Sequence, residues 1–290
     1  MKLGIAGLLP RSLYDLDAAA FKCVREMGFA GAAFNVAESP AQIATAQARE
    51  AGHVIAGEGI DLVEYGQYQT TLIDPNEDVR VANIAQLRET CRVAAALGCP
   101  AVIAGTGSLN PAGQWFPHRE NHAPATTDRL IASLRDAVRA AEEEGVVLAL
   151  ECHVTTTLKD AATARDVLDA VGSPALKIHL DPVNWMTFET VFDNGPAIAG
   201  MFATLGPSRI YGAHSKGVAV KNRLIIHLNE TVTGAPDDLI DHAAILTSLA
   251  QLPGDPYLVI EHLSVEQMPA ARAHLLTVAA GLGLSVHGVE

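Results

Sequence analysis

In the second half of the chain, four residues that can bind a hard divalent cation each close a short apolar run. They are Glu151 after Leu148-Ala149-Leu150, Asp181 after His179-Leu180, His214 after Gly212-Ala213, and Glu261 after Leu258-Val259-Ile260. Three carboxylates and one imidazole, with no thiolate, suit Mn²⁺, Mg²⁺ or Co²⁺ better than a structural zinc. A single acid at the end of a buried strand marks only where that strand reaches water. Four successive runs ending this way point instead to one shared site, provided the fold makes the run ends converge.

Other chemistry-bearing residues cluster around these ends in sequence. His153 lies two residues after Glu151, on the same face of an extended segment, and is a candidate general base; its alternative is a loop histidine bonded to a neighbour. Lys216, two residues past His214, can steady the charge of an enediolate or be a solvated loop lysine. The segment 107–122 carries Asn110, Trp115 and His118, a mixture of aromatic face, amide and imidazole suited to stacking on and hydrogen-bonding to a sugar. Asn184 and Trp185 follow Asp181 closely and join the substrate-binding candidates, against the alternatives of a turn-forming Asn and a Trp that plugs the rim. His179 sits deeper on the Asp181 face and reads as a hydrogen-bonded core histidine, and His262 has the wrong parity relative to Glu261 and is set aside.

The elements that must position these groups repeat as eight cycles of a short apolar run followed by an amphipathic segment, the pattern of a parallel sheet covered by helices. Strands are expected over 2–6, 31–35, 59–64, 101–105, 146–151, 176–181, 209–214 and 257–261, with helices between and after them, the second over 40–51. Long connections follow strand four (106–124) and strand seven (215–237), both at strand C-termini. The pattern predicts an α/β fold, a single (β/α)8 TIM barrel over 1–290, whose closure gathers the four run ends at one mouth. An open doubly wound sheet would need a phosphate turn, and Gly4-Ile5-Ala6-Gly7 lacks its third glycine.

Composition narrows the function classes. A net charge of -13 opposes a protein that tracks nucleic-acid phosphates, so no nucleic-acid partner is expected. No run has membrane-spanning length and the first residues do not read as a signal peptide, which predicts a cytoplasmic protein without a membrane partner. Cys23, Cys91, Cys99 and Cys152 are scattered and read as small buried hydrophobes.

In their strand order, Glu151, Asp181, His214-Ser215-Lys216 and Glu261 resemble the xylose isomerase-like barrel superfamily of sugar isomerases, ketose 3-epimerases and the endonuclease IV group, over essentially the whole chain. The resemblance implies that the four residues hold one divalent metal, taken as Mn²⁺ with Mg²⁺ or Co²⁺ as alternatives. It also implies that this metal engages neighbouring oxygens of a keto sugar while a carboxylate or His moves a proton on the adjacent carbon. Glu151 and Glu261 are then both ligands and catalytic candidates, beside His153 and Lys216.

Three departures stand against a simple transfer of function. Gly217 follows His214-Ser215-Lys216 where many members carry Asp, Asn184 stands where ketose 3-epimerases have His, and the chain lacks the larger His-rich zinc set of endonuclease IV. Glu151-Cys152-His153 has a looser resemblance to the catalytic subunits of C-glycoside deglycosidases, which eliminate an aglycone from a 3-oxo sugar and work with a small second subunit. The expected function is a metal-dependent sugar isomerase or epimerase. The alternatives are a lyase on 3-oxo-glycosides and a non-catalytic sugar-binding barrel. The expected partner is a small carbohydrate, unphosphorylated because no glycine-rich cradle or arginine cluster appears, with a homo-oligomer or a small second subunit as further expectations.

Overall fold

The apolar runs form strands because each is buried on both faces, as the all-buried Ala101–Gly105 shows. The structure is a computed structural model and describes residues 1–68, 70–222 and 226–287. Its strands are β1 (Lys2–Ile5), β2 (Gly31–Asn35), β3 (Asp61–Gln67), β4 (Ala101–Gly105), β5 (Val147–Glu151), β6 (Leu176–Leu180), β7 (Ile210–Ser215), β8 (Gly217–Lys221), β9 (His227–Thr231) and β10 (Tyr257–Ile260). Eight of them close into a parallel barrel in the order β1-β10-β7-β6-β5-β4-β3-β2, so the chain is a (β/α)8 barrel. Helices α1 (Ala18–Glu26), α2 (Thr45–Gly57), α3 (Glu77–Leu97), α4 (Pro124–Glu144), α5 (Ala161–Val171), α6 (Asn194–Leu205), α7 (His242–Leu249) and α8 (Met268–Gly281) alternate with the barrel strands.

Local chemistry sets the helix ends. The Asp17, Asn76 and Asp160 side chains accept backbone N–H groups at the starts of α1, α3 and α5. At the end of α4, Gly145 takes the left-handed conformation (φ 69) that a side chain disfavours, and turns the chain into β5. Among the described residues, no helix is long and apolar enough to cross a membrane.

Beyond shifts of a residue or so at strand ends, three departures from the sequence reading bear on the site. The second helix starts at Thr45, because Pro40–Gln42 makes only a 3-10 turn and Ile43 and Ala44 are extended. The third strand begins at Asp61 and runs on to Gln67, which moves Glu64 from the strand end to its middle. The expected long connection 215–237 contains the antiparallel hairpin β8–β9; its residues 223–225 lie outside the described residues.

Asp238 ties down the base of that hairpin. Its buried carboxylate accepts the backbone N–H of Val218 (3.0 Å), Gly234 (2.8 Å) and Ile240 (3.0 Å), and contacts His242 Nε2 at 2.7 Å. Burial alone would raise its pKa, but His242 and the amides outweigh that and hold it below the usual value.

Candidate metal centre

Alternation along the strands lifts each candidate ligand above an inward residue two positions earlier: Glu151 above Ala149, Asp181 above His179, His214 above Gly212 and Glu261 above Val259. The barrel thereby brings all four together. One donor atom from each of Glu151, Asp181, His214 and Glu261 lies within 4.8 Å of the others, and all four residues are buried. His214 Nδ1 is 3.2 Å from Glu261 Oε1, 3.9 Å from Glu151 Oε1 and 4.0 Å from Asp181 Oδ2.

His214 turns its other nitrogen, Nε2, to Glu64 Oε1 at 3.2 Å. A carboxylate behind an imidazole fixes the ring and sharpens its donor, a common support for a metal-ligating histidine. Glu64 also approaches His179 Nδ1 at 3.5 Å, and among the described residues neither ring nitrogen of this core histidine makes an aligned hydrogen bond. Asn184 donates from Nδ2 to Glu151 Oε1 at 2.8 Å and accepts from Lys216 Nζ at 3.4 Å.

The donor set fits a divalent cation. Asp181 Oδ2, Glu261 Oε1 and His214 Nδ1 are buried with no properly aligned hydrogen bond among the described residues, and such groups are rarely left orphaned. Lys216 Nζ lies 2.7 Å from Asp181 Oδ2 and 2.8 Å from Glu261 Oε1, which is charge contact without hydrogen-bond alignment. The lysine is buried at 4% exposure, so it belongs to the site and not to solvent.

The titration behaviour of the protein groups expresses the excess negative charge. Burial, then repulsion from Glu261, pushes Glu151 up to about 7. Burial opposes charge on His214, but Glu261 and Glu64 raise it to about 10. Burial likewise opposes charge on Lys216, yet Asp181, Glu261 and Glu151 hold it well above its ordinary value. For Asp181 burial is outweighed by Lys216 and His214, and its pKa is lowered. A cluster that draws cations onto its own side chains this strongly is electrostatically prepared for a metal.

Above the cluster opens a cavity of about 570 Å³ whose walls include Glu151, Glu261, Lys216, His153, Asn184 and Trp115. His153 is pinned at Nδ1, which lies 2.7 Å from Thr155 Oγ1 and 3.1 Å from Thr155 N, and Nε2 has no partner among the described residues. Burial holds its pKa below the usual histidine value. The Trp115 ring stands 6.2 Å from His153 and 6.3 Å from Tyr68, centroid to centroid.

Three of the expected substrate-binding residues fall elsewhere. Asn110 shapes its own loop, donating to Pro117 O (2.9 Å) and accepting from Ala112 N (2.9 Å). His118 accepts Glu120 N–H at the start of a 3-10 turn. Trp185 is buried in the core, its indole N–H donating to Leu158 O at 2.9 Å, which is the rim-plug alternative.

The cavity also holds residues that the sequence reading did not place there: Glu64, Tyr68, Glu230 and His262. His262 takes a left-handed backbone (φ 59) just past β10, so strand parity no longer governs its direction. Its Nδ1 pairs with Glu230 of β9 at 2.9 Å. Tyr68 stands beside Glu151; burial, then the charges of Glu151, Glu64 and Glu261, keeps its hydroxyl protonated as a donor.

Fold and site together define a (β/α)8 barrel with a buried carboxylate–imidazole cluster at its C-terminal mouth. Residues 21–277 match the xylose isomerase-like TIM barrel family, and the chain belongs to that family. No curated protein matches the chain in sequence. Among solved structures it is similar to an L-ribulose 3-epimerase (TM-score 0.72, 18% identity, covering 97% of each chain). It is also similar to the 3-keto-D-glucoside 4-epimerase YcjR of E. coli (TM-score 0.70, 18% identity, 97% of this chain and 99% of that one). A third is a xylose isomerase-like TIM barrel protein from Mycobacterium smegmatis in complex with magnesium (TM-score 0.70, 19% identity, 97% of each chain). At such identities the likeness is one of fold.

Proposed function

We propose that the protein is a divalent-metal-dependent enzyme that removes a proton from the carbon next to the carbonyl of a neutral sugar, as an isomerase or epimerase. The observation that carries this reading is the set of four converging, buried, oxygen-rich donors at the floor of a cavity large enough for a hexose. Two of the structurally similar proteins bear the names of sugar epimerases, which supports the reading by analogy of fold.

Glu151, Asp181, His214 and Glu261 would hold the ion, for which Mn²⁺ is our first choice and Mg²⁺ or Co²⁺ the alternatives. When bound, it supplies Lewis acidity to neighbouring oxygens of the keto sugar. The chain's own groups do the rest. Lys216 places an ammonium where negative charge develops on the substrate, in a setting dry enough for that charge contact to count. Asn184 keeps Glu151 oriented, and Glu64 keeps His214 oriented. His153, Glu151 and Glu261 all line the cavity and can each exchange a proton with the adjacent carbon, His153 being the base of first choice because it is not a ligand.

A β-eliminating lyase on a 3-oxo-glycoside is the second reading. His153 favours it, because this half-buried side chain puts into the cavity an imidazole nitrogen without a partner among the described residues, able to act as a base without belonging to the ligand set. Solvent-deuterium exchange by Mn²⁺-loaded protein on a panel of ketoses and 3-oxo-glucosides tests both. Label next to the carbonyl with otherwise unchanged mass is the outcome we expect, whereas release of an alcohol or phenol assigns elimination. Neither exchange nor conversion across the panel would overturn the enzymatic reading in favour of a sugar-binding barrel.

A further inference from the structure

Gly7, Asn35 and Tyr68 line both the metal-site cavity and a second cavity of about 610 Å³ between the ends of β1, β2 and β3 and the side of α3, so the two are neighbours across one shared rim. Gly7 lies at the junction with a φ of +89 and nothing within 4 Å of where a Cβ would stand, so the passage over it is bare. Gly66 plays a related part, because a Cβ there would meet Asn35 Oδ1 and Tyr68 Cε2 (2.8 Å); its absence lets both side chains lie flat along the channel wall.

The chemistry of this second cavity differs from that of the first. Among the described residues it has no cluster of carboxylates around a common point. Its wall carries the amides of Asn35, Gln67 and Gln86, the hydroxyl of Ser39 and the guanidinium of Arg11, with the Tyr68 ring at its entrance. Gln67 is buried, and its amide makes no side-chain hydrogen bond among the described residues. Amides that both donate and accept, next to an aromatic face, match the alternating hydroxyls and C–H faces of a pyranose. A phosphate would call for a cluster of cations, and the one arginine shares its wall with the Glu38 carboxylate.

We propose that the enzyme's substrate has two units: a keto sugar over the metal centre, joined by a glycosidic bond to a second, uncharged sugar that lies in the amide-lined cavity. This rests on the keto-sugar reading of the metal site and specifies its substrate class as a glycosylated ketose or keto-glycoside and not a free monosaccharide. The two cavities share three residues, so a two-unit ligand has only that shared rim to cross.

The test is calorimetric titration of the Mn²⁺-loaded protein with D-fructose, with two glycosylated ketoses (lactulose and isomaltulose), and with fructose 6-phosphate. The same titrations are run on Gln86→Trp and Ser39→Trp, which fill the second cavity from two sides and touch none of the metal ligands; metal content and circular dichroism verify that each is folded. At least one disaccharide should bind tenfold or more tightly than D-fructose. Either tryptophan should remove that gain while leaving D-fructose affinity within about twofold, the usual range for surface changes away from a contact. D-fructose binding with no disaccharide gain, or a gain that survives both substitutions, overturns the second subsite and leaves the function proposed for the metal centre standing. Fructose 6-phosphate as the tightest ligand overturns it in favour of a phosphate-binding pocket. No binding of any sugar overturns both readings together.

Discussion

Replacing Glu64 by Gln removes a charge outside the four-residue ligand set, yet it should weaken metal binding. The carboxylate is 3% exposed, stands 3.2 Å behind His214 Nε2, and faces the imidazole on the side away from the ligand cluster. Gln preserves volume and one acceptor, so no cavity forms and the ring keeps a partner. What is lost is the charge assistance of that contact, which is worth about 1.5–3 kcal/mol for a hydrogen bond to a charged group against about 1 kcal/mol for a neutral one. Removing the partner of a ligating histidine commonly reduces metal affinity by about 10- to 100-fold, or about 1.4–2.7 kcal/mol, and the difference of about 0.5–2 kcal/mol between the two bonds places Glu64→Gln near the tenfold end. Burial opposes charge on Glu64, but His179 and His214 outweigh it and hold its pKa below the usual value, so its charge also stabilises the metal-free fold and chelator-treated Glu64→Gln should melt at a lower temperature. Competition against a fluorescent chelator for Mn²⁺ measures the affinity, and calorimetry measures the melting temperature. Mn²⁺ affinity within twofold of the unsubstituted protein would refute the role assigned to Glu64 and leave it as a buried partner of His179.

Two further perturbations separate catalysis from structure. His153→Ala should retain its metal and lose turnover by roughly a hundredfold, the usual scale for a positioned acid-base group; near-full turnover with the metal retained would assign proton transfer to Glu151 or Glu261. Trp185→Phe leaves Leu158 O without its indole donor and should lower stability by about 1–3 kcal/mol in urea unfolding while turnover is unchanged. A large fall in turnover at unchanged stability would instead return Trp185 to the substrate site.

The barrel and the four converging residues were legible because they are written in local pattern. Apolar runs buried on both faces are continuous in sequence, and closure makes their ends meet wherever they fall along the chain. Glu64 had a signal that went unread: a carboxylate inside Leu62-Val63-Glu64-Tyr65 must be paired if the strand continues, and β3 does continue, to Gln67. His262 was misplaced for a different reason, since parity arguments end where the backbone leaves β geometry, and its left-handed φ cannot be read from its neighbours in sequence. Asn110 and His118 have the right chemistry for a sugar, but their hydrogen bonds are taken by the loop that carries them, a competition between local and distant partners that composition does not reveal. Glu230 enters the site only through the β8–β9 hairpin, whose pairing depends on the buried Asp238 anchor.

The central claim is that Glu151, Asp181, His214 and Glu261 act as one metal site, and counting bound ions tests it most directly. Protein stripped with a chelator, reloaded with Mn²⁺ and passed through a desalting column should carry a single ion per chain by elemental analysis. Asp181→Asn and Glu261→Gln should each lose it while their far-UV circular dichroism stays unchanged, because the ligands sit at the barrel mouth above the packed interior. A chain that takes up no divalent ion, or substituted chains that keep theirs in full, would contradict the account.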